Sequence, residues 1–267
     1  MKQTALITGA SSGIGRECAI VFAKNGFDLI LVARSVDKLS ALKEELEQKH
    51  GIAVTVIPMD LSEPDVACEL LRQLKKLELN ANVLVNSAGF GDFAGFLDSD
   101  WSKQKNMVDL NITALMQMSY VFGNEMRKCG YGRILNLSSV AAFSAGPYMS
   151  VYYASKAFVL SFSQALAEEL KDTGVTVTAL CPGPTSTGFD SAADMGGSKM
   201  FDTFKSATPK QVAECGYQAV MSGKHVKYHG LPTKLMNIGS RIVPRKTTTK
   251  FAAKINGVPQ KGAAKDV

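Results

Sequence analysis

Six short apolar runs punctuate the first two thirds of the chain: TALIT (4–8), FDLILVA (27–33), VTVIPM (54–59), NVLVNS (82–87), RILNLS (133–138) and VTVTALC (175–181). They are rich in Val, Ile and Leu and do not alternate apolar with polar residues. Unalternated runs of this length predict strands buried on both faces. Stretches with helical spacing lie between them, at about 14–25, 36–50, 63–79, 101–129 and 149–172. Strands alternating with helices predict βαβ units and a parallel sheet covered on both sides. The expected fold is α/β, a doubly wound three-layer α/β/α single domain.

The pattern changes after Cys181. PGPTSTGFDSAADMGGSKMFDTF (182–204) is rich in Gly, Ser and Thr and reads as a long connection, a kind of loop that is commonly functional. TPKQVAECGYQAVMSG (208–223) predicts a further helix, with Thr208 as N-cap and Pro209 in its first turn. HVKYHG (225–230) reads as an edge strand. The catalytic unit is therefore expected over 1–230, with a substrate loop at about 188–205, followed by a basic, partly flexible arm over 231–267.

Composition narrows the class. The chain has 267 residues, 46% hydrophobic and 20% charged, which suits one folded α/β domain. Its net charge of +6 is uneven. Residues 224–267 hold ten Lys and Arg against Asp266 alone, so the basic balance belongs to the arm and the remainder is slightly acidic. Without aromatic interleaving or a known module this does not make a nucleic-acid binder. Cys18, Cys68, Cys129, Cys181 and Cys215 are scattered and never in C-x-x-C spacing. That argues against a disulfide framework or a metal site and for a reducing compartment. The first residues run straight into a strand with no leader pattern, and no apolar run reaches bilayer length, so a cytoplasmic protein is expected.

TGASSGIG (8–15) joins the first strand to the first helix. Gly9, Gly13 and Gly15 stand where a side chain would block a tight turn or a bound pyrophosphate, and free N–H groups at a helix start favour an anion. The alternative is a strand-to-helix turn that merely needs flexible residues. In SVYYASKAFV (150–159), two tyrosines precede one lysine. A neighbouring ammonium lowers the pKa of a phenol from its ordinary ~10. At about 100° per residue, Lys156 lies about 40° from Tyr152 and about 60° the other way from Tyr153. Tyr152 shares a polar strip with Lys156 and Ser163, whereas Tyr153 falls on an apolar side and reads as packing.

The G-x-x-x-G-x-G spacing resembles that of the short-chain dehydrogenase/reductase family, and further motifs align with it. NSAG (86–89) matches the family's N-N-A-G, with Ser87 in place of an asparagine that helps tie the central sheet together. Asn111 in DLNI, Ser139 in LSSVAA and Tyr152 with Lys156 match its catalytic set. PG (182–183) and Thr187 match its P-G-x-x-x-T. The resemblance spans residues 4 to about 190. It implies a hydride transfer between a nicotinamide cofactor and a carbonyl or alcohol substrate, with Tyr152 as general acid or base. Lys156 would lower its pKa and hold the nicotinamide ribose, Ser139 would bind the reacting oxygen, and Asn111 would hold a water near the lysine. Gly9, Ser11, Ser12, Gly13, Ile14, Gly15, Asn86, Ala88 and Gly89 would contact the cofactor. So would Tyr152, Lys156, Pro182, Gly183, Thr185 and Thr187, with Asp60 and Leu61 bordering its adenine. The family also pairs the tyrosine-bearing helix and the one before it across subunits, which implies a homodimer or homotetramer.

Two readings remain the chain's own. The second strand ends LVARS, with no carboxylate for a ribose hydroxyl but with Arg34 available for a 2′-phosphate, so NADP(H) is expected over NAD(H). Asp28 stands at the wrong end of that strand, and Asp37 suits the start of the next helix. GFGDFAGF (89–96), Phe143, Tyr148, Met149 and the 188–205 segment suggest an apolar carbonyl substrate. A catalytically silent NADP(H)-sensing regulator on the same fold is the rival reading, and an epimerase or dehydratase is disfavoured by the short substrate region. Residues 231–256 carry Leu235, Ile238, Ile242 and Val243 among cations, with Pro244 interrupting any long helix. They read first as a subunit-contacting or surface arm, and second as a peripheral membrane contact.

Overall fold

The computed structural model describes residues 2–186 and 206–259. Thr187, the expected 188–205 loop and the last eight residues lie outside them. Seven strands form one sheet: β1 (Thr4–Thr8), β2 (Asp28–Ala33), β3 (Val54–Pro58), β4 (Val83–Asn86), β5 (Gly132–Leu137), β6 (Val175–Cys181) and β7 (Val226–Tyr228). All pairings are parallel, in the order β3-β2-β1-β4-β5-β6-β7. The order reverses between β1 and β4, the position where such sheets open a crevice at their carboxyl ends.

Successive residues of a strand point to opposite faces. Ile7 and Leu31 pack with Phe22 and Leu39 on one side, while Leu6 and Ile30 pack with Leu70 and Phe122 on the other. Both faces are buried, which is why the strands read as unbroken apolar runs. The helices that cover them are α1 (Gly13–Lys24), α2 (Val36–His50), α3 (Val66–Lys76), α4 (Trp101–Val108), α5 (Leu115–Lys128), α6 (Ser150–Glu169) and α7 (Pro209–Met221). Thr208 caps α7 with a reciprocal Thr208–Gln211 box.

Two features depart from the sequence pattern. The single helix expected over 101–129 is interrupted by a π-helical segment, Asp109–Ala114, centred on Asn111. Widened turns of this kind gather at functional positions. In α6 the buried face holds Ser155, Lys156 and Ser163 beside Tyr153 and Val159. Phe158 and Phe162 instead stack on each other, 5.7 Å apart, on its half-exposed side. The arm forms two more helices, α8 (Leu231–Ile242) and α9 (Arg245–Asn256), separated at Val243–Pro244.

Candidate active site

The β1–α1 turn is tight for a steric reason. A Cβ on Gly15 would sit 2.3 Å from the Gly9 carbonyl oxygen, and one on Gly9 would sit 2.9 Å from Ala88 Cα. Gly9 and Gly13 also hold φ of +67° and +54°, where a side chain is strained. The first helical hydrogen bond of α1 runs from Arg16 N to Ser12 O. Ser12 gives no side-chain cap, and the first turn contains no acidic residue. The amides of Gly13 to Gly15 are left facing a cleft, and that is a cradle for an anion.

The cleft has a volume of about 600 Å³ and lies over the carboxyl ends of the strands. Gly9, Ser11, Ser12, Gly13, Ile14 and Gly15 line one wall; Arg34, Asp60 and Leu61 close one end. Ala88, Gly89, Pro182, Gly183 and Thr185 also line the cleft. Ser139, Tyr152 and Lys156 line the same cleft as the glycine turn. Asn86 and Asn111 are not among the lining side chains.

Asn86 instead ties the sheet. Its Nδ2 donates to Asn136 Oδ1 at 2.9 Å and Ser119 Oγ at 3.2 Å, and Asn136 Nδ2 donates to Ser163 Oγ at 2.9 Å. The amides of Ser87 and Ala88 both donate to Thr8 Oγ1, at 3.0 and 3.1 Å. With serine in place of the expected asparagine, these two backbone amides at the strand end are still hydrogen-bonded.

Ser139 begins the 3-10 turn Val140–Phe143 and accepts from Ala141 N at 3.1 Å. Its hydroxyl is also hydrogen-bonded to that of Tyr152. Lys156 Nζ lies 5.6 Å from the centre of the Tyr152 ring and donates to Leu137 O at 3.0 Å. Burial pushes Tyr152 up to about 12, with the Ser139 hydrogen bond acting the other way. The same burial holds Lys156 down at about 8. The lowered tyrosine pKa expected from the sequence is thus not what this geometry produces: the ammonium addresses the ring face and the Leu137 carbonyl, and desolvation outweighs it.

Asn111 is 1% exposed. Its Oδ1 accepts from Phe90 N at 3.1 Å, while Nδ2 donates to Phe90 O at 2.9 Å and Ser155 Oγ at 3.2 Å. It clamps the segment after β4 onto α6. Arg34 is open to solvent and pairs loosely with Asp60, Nη1 to Oδ2 3.7 Å. Desolvation raises the Asp60 pKa, but hydrogen bonds from Ser62 and the Arg34 charge outweigh it and hold the carboxyl below its ordinary value. Asp28 accepts from Ala53 N, away from the cleft, and Asp37 lies in the first turn of α2.

Sequence reasoning did not single out Asp92 or Asn256 as supports of the site, and it named Tyr148 only as a pocket residue. Asp92, only 5% exposed, gathers Lys103 Nζ (2.5 Å), Ser99 Oγ (2.6 Å) and Gln104 Nε2 (2.7 Å) and pins the segment after β4. Tyr148 holds φ of +66° and its carbonyl accepts from Ala94 N at 2.9 Å, joining two cleft loops. Asn256, fully buried at the end of α9, accepts from the Tyr153 hydroxyl and donates to Pro147 O, each at 2.9 Å. Its partners stand 103 and 109 residues away, so no local pattern carries the signal. A second, mostly apolar cavity of about 180 Å³ adjoins the cleft, with Val140 and Pro184 on one side and Met236, Phe251 and Ile255 of the arm on the other. Among the described residues no cluster of His, Cys, Asp and Glu could hold a metal ion, and no helix is long and apolar enough to cross a membrane.

Comparison with known proteins agrees with this architecture. The short chain dehydrogenase family model matches residues 3–196. Mouse 17-beta-hydroxysteroid dehydrogenase type 3 is 32% identical over 258 residues, covering 94% of this chain and 81% of that one. The sulfoacetaldehyde reductase of Chromohalobacter salexigens is 33% identical over 240 residues, covering 86% and 93%. A short-chain dehydrogenase from Sphingobium yanoikuyae, solved in complex with NADPH, superposes with a TM-score of 0.79 at 31% identity over 90% of this chain and 94% of that one. The chain belongs to the short-chain dehydrogenase/reductase family of oxidoreductases, which act on CH–OH and carbonyl groups.

Proposed function

We propose that the protein is an NADP(H)-dependent carbonyl reductase or alcohol dehydrogenase with Tyr152 as its proton donor and acceptor. The observation that carries this reading is the Ser139–Tyr152 hydrogen bond in a cleft that also contains the glycine cradle. The cleft fits a dinucleotide. Its volume lies within the usual ligand range, the amides of Gly13 to Gly15 suit a pyrophosphate, and Arg34 stands at the end of β2 with no carboxylate replacing it. The nicotinamide supplies the hydride when bound.

The chain's own residues do the rest. Ser139 and Tyr152 present two hydroxyls to one carbonyl oxygen. As hydride reaches the carbon, the Tyr152 proton passes to that oxygen and a phenolate forms beside Lys156. With its hydroxyl at about 12, Tyr152 stays protonated at neutral pH, which suits reduction. Lys156, with Nζ 5.6 Å from the ring centre, would place a cation beside that phenolate, and burial holds it at about 8, nearer neutrality than a free lysine. Asn111 keeps the segment after β4 in register with α6.

The substrate is expected to be an apolar carbonyl compound. The relatives differ in substrate by name, a hydroxysteroid in one and sulfoacetaldehyde in another, so the apolar cavity beside the cleft carries this part of the reading. Residues 1–230 would form the catalytic unit and the arm an appendage to it, in a cytoplasmic homodimer or homotetramer. The exposed Met116 and Tyr120 on α5 and the Phe158–Phe162 stack on α6 are the surfaces for that pairing. NADPH oxidation against a panel of carbonyl compounds, with Tyr152→Phe as control, tests the function. Tight NADPH binding with no turnover on any of them would favour the silent regulator instead.

A further inference from the structure

Helix α8 is amphipathic in the inverted sense. Leu231, Leu235, Ile238 and Ile242 recur at helical spacing and fall within about 60° of one another at 100° per residue. They are 67%, 59%, 47% and 78% exposed. The face turned toward the protein holds Thr233, which is 4% exposed, with Met236, Asn237 and Ser240 half-buried. An ordinary surface helix does the opposite, hiding its aliphatic stripe and offering polar groups to water.

Cations border this stripe along one edge. Lys234 and Arg241 flank it on α8, Arg245, Lys246, Lys250 and Lys254 follow on α9, and all six are exposed. None of the six has an ion-pair partner among the described residues. From Lys224 to Pro259 the sequence contains no Asp or Glu. A second copy docking stripe to stripe by two-fold symmetry would bring these like charges together with no carboxylate to offset them. The occupant that matches both features has a surface that is apolar a few ångströms in and anionic at its boundary.

We propose that α8 with the start of α9 is a membrane-surface anchor that seats the protein on a bilayer containing anionic lipid. The Leu/Ile stripe enters the headgroup–acyl boundary, and the flanking cations face lipid phosphates and carboxylates. Two ends of the arm are already fixed. Thr233 is buried beside Gly183, and Asn256 is held by Tyr153 and Pro147. The stripe is therefore presented on a rigid mount and does not have to fold on binding.

Flotation of the full-length protein with vesicles tests this. The protein should float with phosphatidylcholine–phosphatidylserine vesicles and stay behind with phosphatidylcholine alone. Binding should weaken with salt. Leu235→Glu/Ile238→Glu should lose binding by at least about tenfold while keeping its melting temperature, and Lys234→Gln or Arg241→Gln should each lose roughly fivefold. Three results would overturn the proposal: no binding at any phosphatidylserine content, binding unchanged in the double glutamate variant, or a drop in that variant from dimer to monomer. The last would make the stripe a contact between copies, and the second would leave charge alone as the cause.

Discussion

The Tyr153 hydroxyl is hydrogen-bonded to Asn256 Oδ1 at 2.9 Å, so the residue next to the proposed proton donor is fastened to the end of the arm. Asn256 Nδ2 fastens Pro147 at the same time. Removing a partner from a fully buried polar group costs about 1–3 kcal/mol. Asn256→Ala and Tyr153→Phe should each lower the melting temperature, by roughly 5 °C. Tyr153→Phe should nevertheless keep most of the turnover, because its hydroxyl faces the arm and not the cleft. Thermal melts and steady-state kinetics on the same preparations check both.

Tyr152→Phe should behave in the opposite way. Loss of a positioned general acid removes a factor of about 10²–10⁴. Turnover should fall by that order, while NADPH affinity, read by fluorescence titration, changes by less than about twofold because the cradle is untouched. A variant that kept its turnover would sink the register of the whole site.

At the other end of the cleft, Arg34→Asp replaces the only cation at the close of β2 among the residues lining the cleft there. It should weaken NADP(H) by about tenfold or more and NAD(H) far less, since only the former carries a 2′-phosphate. Equal losses for the two cofactors would refute Arg34 as the discriminator.

Gly15→Ala probes the cradle. The added carbon would meet the Gly9 carbonyl at 2.3 Å, and backbone has to move to admit it. Overpacking of this sort costs about 1–3 kcal/mol. The expected result is a lower melting temperature together with at least about tenfold weaker cofactor binding.

Stability should vary with pH in a defined direction. Lys156 sits at about 8, below its ordinary 10.5, so between these values the unfolded chain binds more protons and stability rises with pH. Cys18 and Cys181 are pushed from 9.0 to about 12 by burial, and Tyr152 and Tyr153 from 10.0 to about 12. In those windows the folded chain binds more protons and stability falls. The rise between about 8 and 9 belongs to the lysine alone among these groups, and Lys156→Met should flatten it in urea titrations across that interval.

The fold was legible because burial on both faces writes itself into unbroken runs of Val, Ile and Leu, and because Gly9 and Gly15 are forced by contact with backbone. Tyr152 and Lys156 were paired by the spacing of one helix, whereas Ser139 was reached only through the family resemblance. The π segment around Asn111 was not legible, since the side chain at its centre is bonded to Phe90, 21 residues back, and no local pattern carries that contact. The direction of the Tyr152 shift was also hidden. Spacing gives the distance of a charge along a helix, whereas desolvation depends on everything packed around the hydroxyl. The arm escaped for the same reason: Asn256 looks like any polar residue at a helix end until Tyr153 and Pro147 are folded against it.

Helix α8 borders two environments at once. Its Met236 side forms part of the wall of the apolar cavity beside the cleft, and its Leu235 side faces outward. One face of this helix thus serves the cavity wall and the other, on the proposal above, the surface contact, so the two can be altered by separate substitutions.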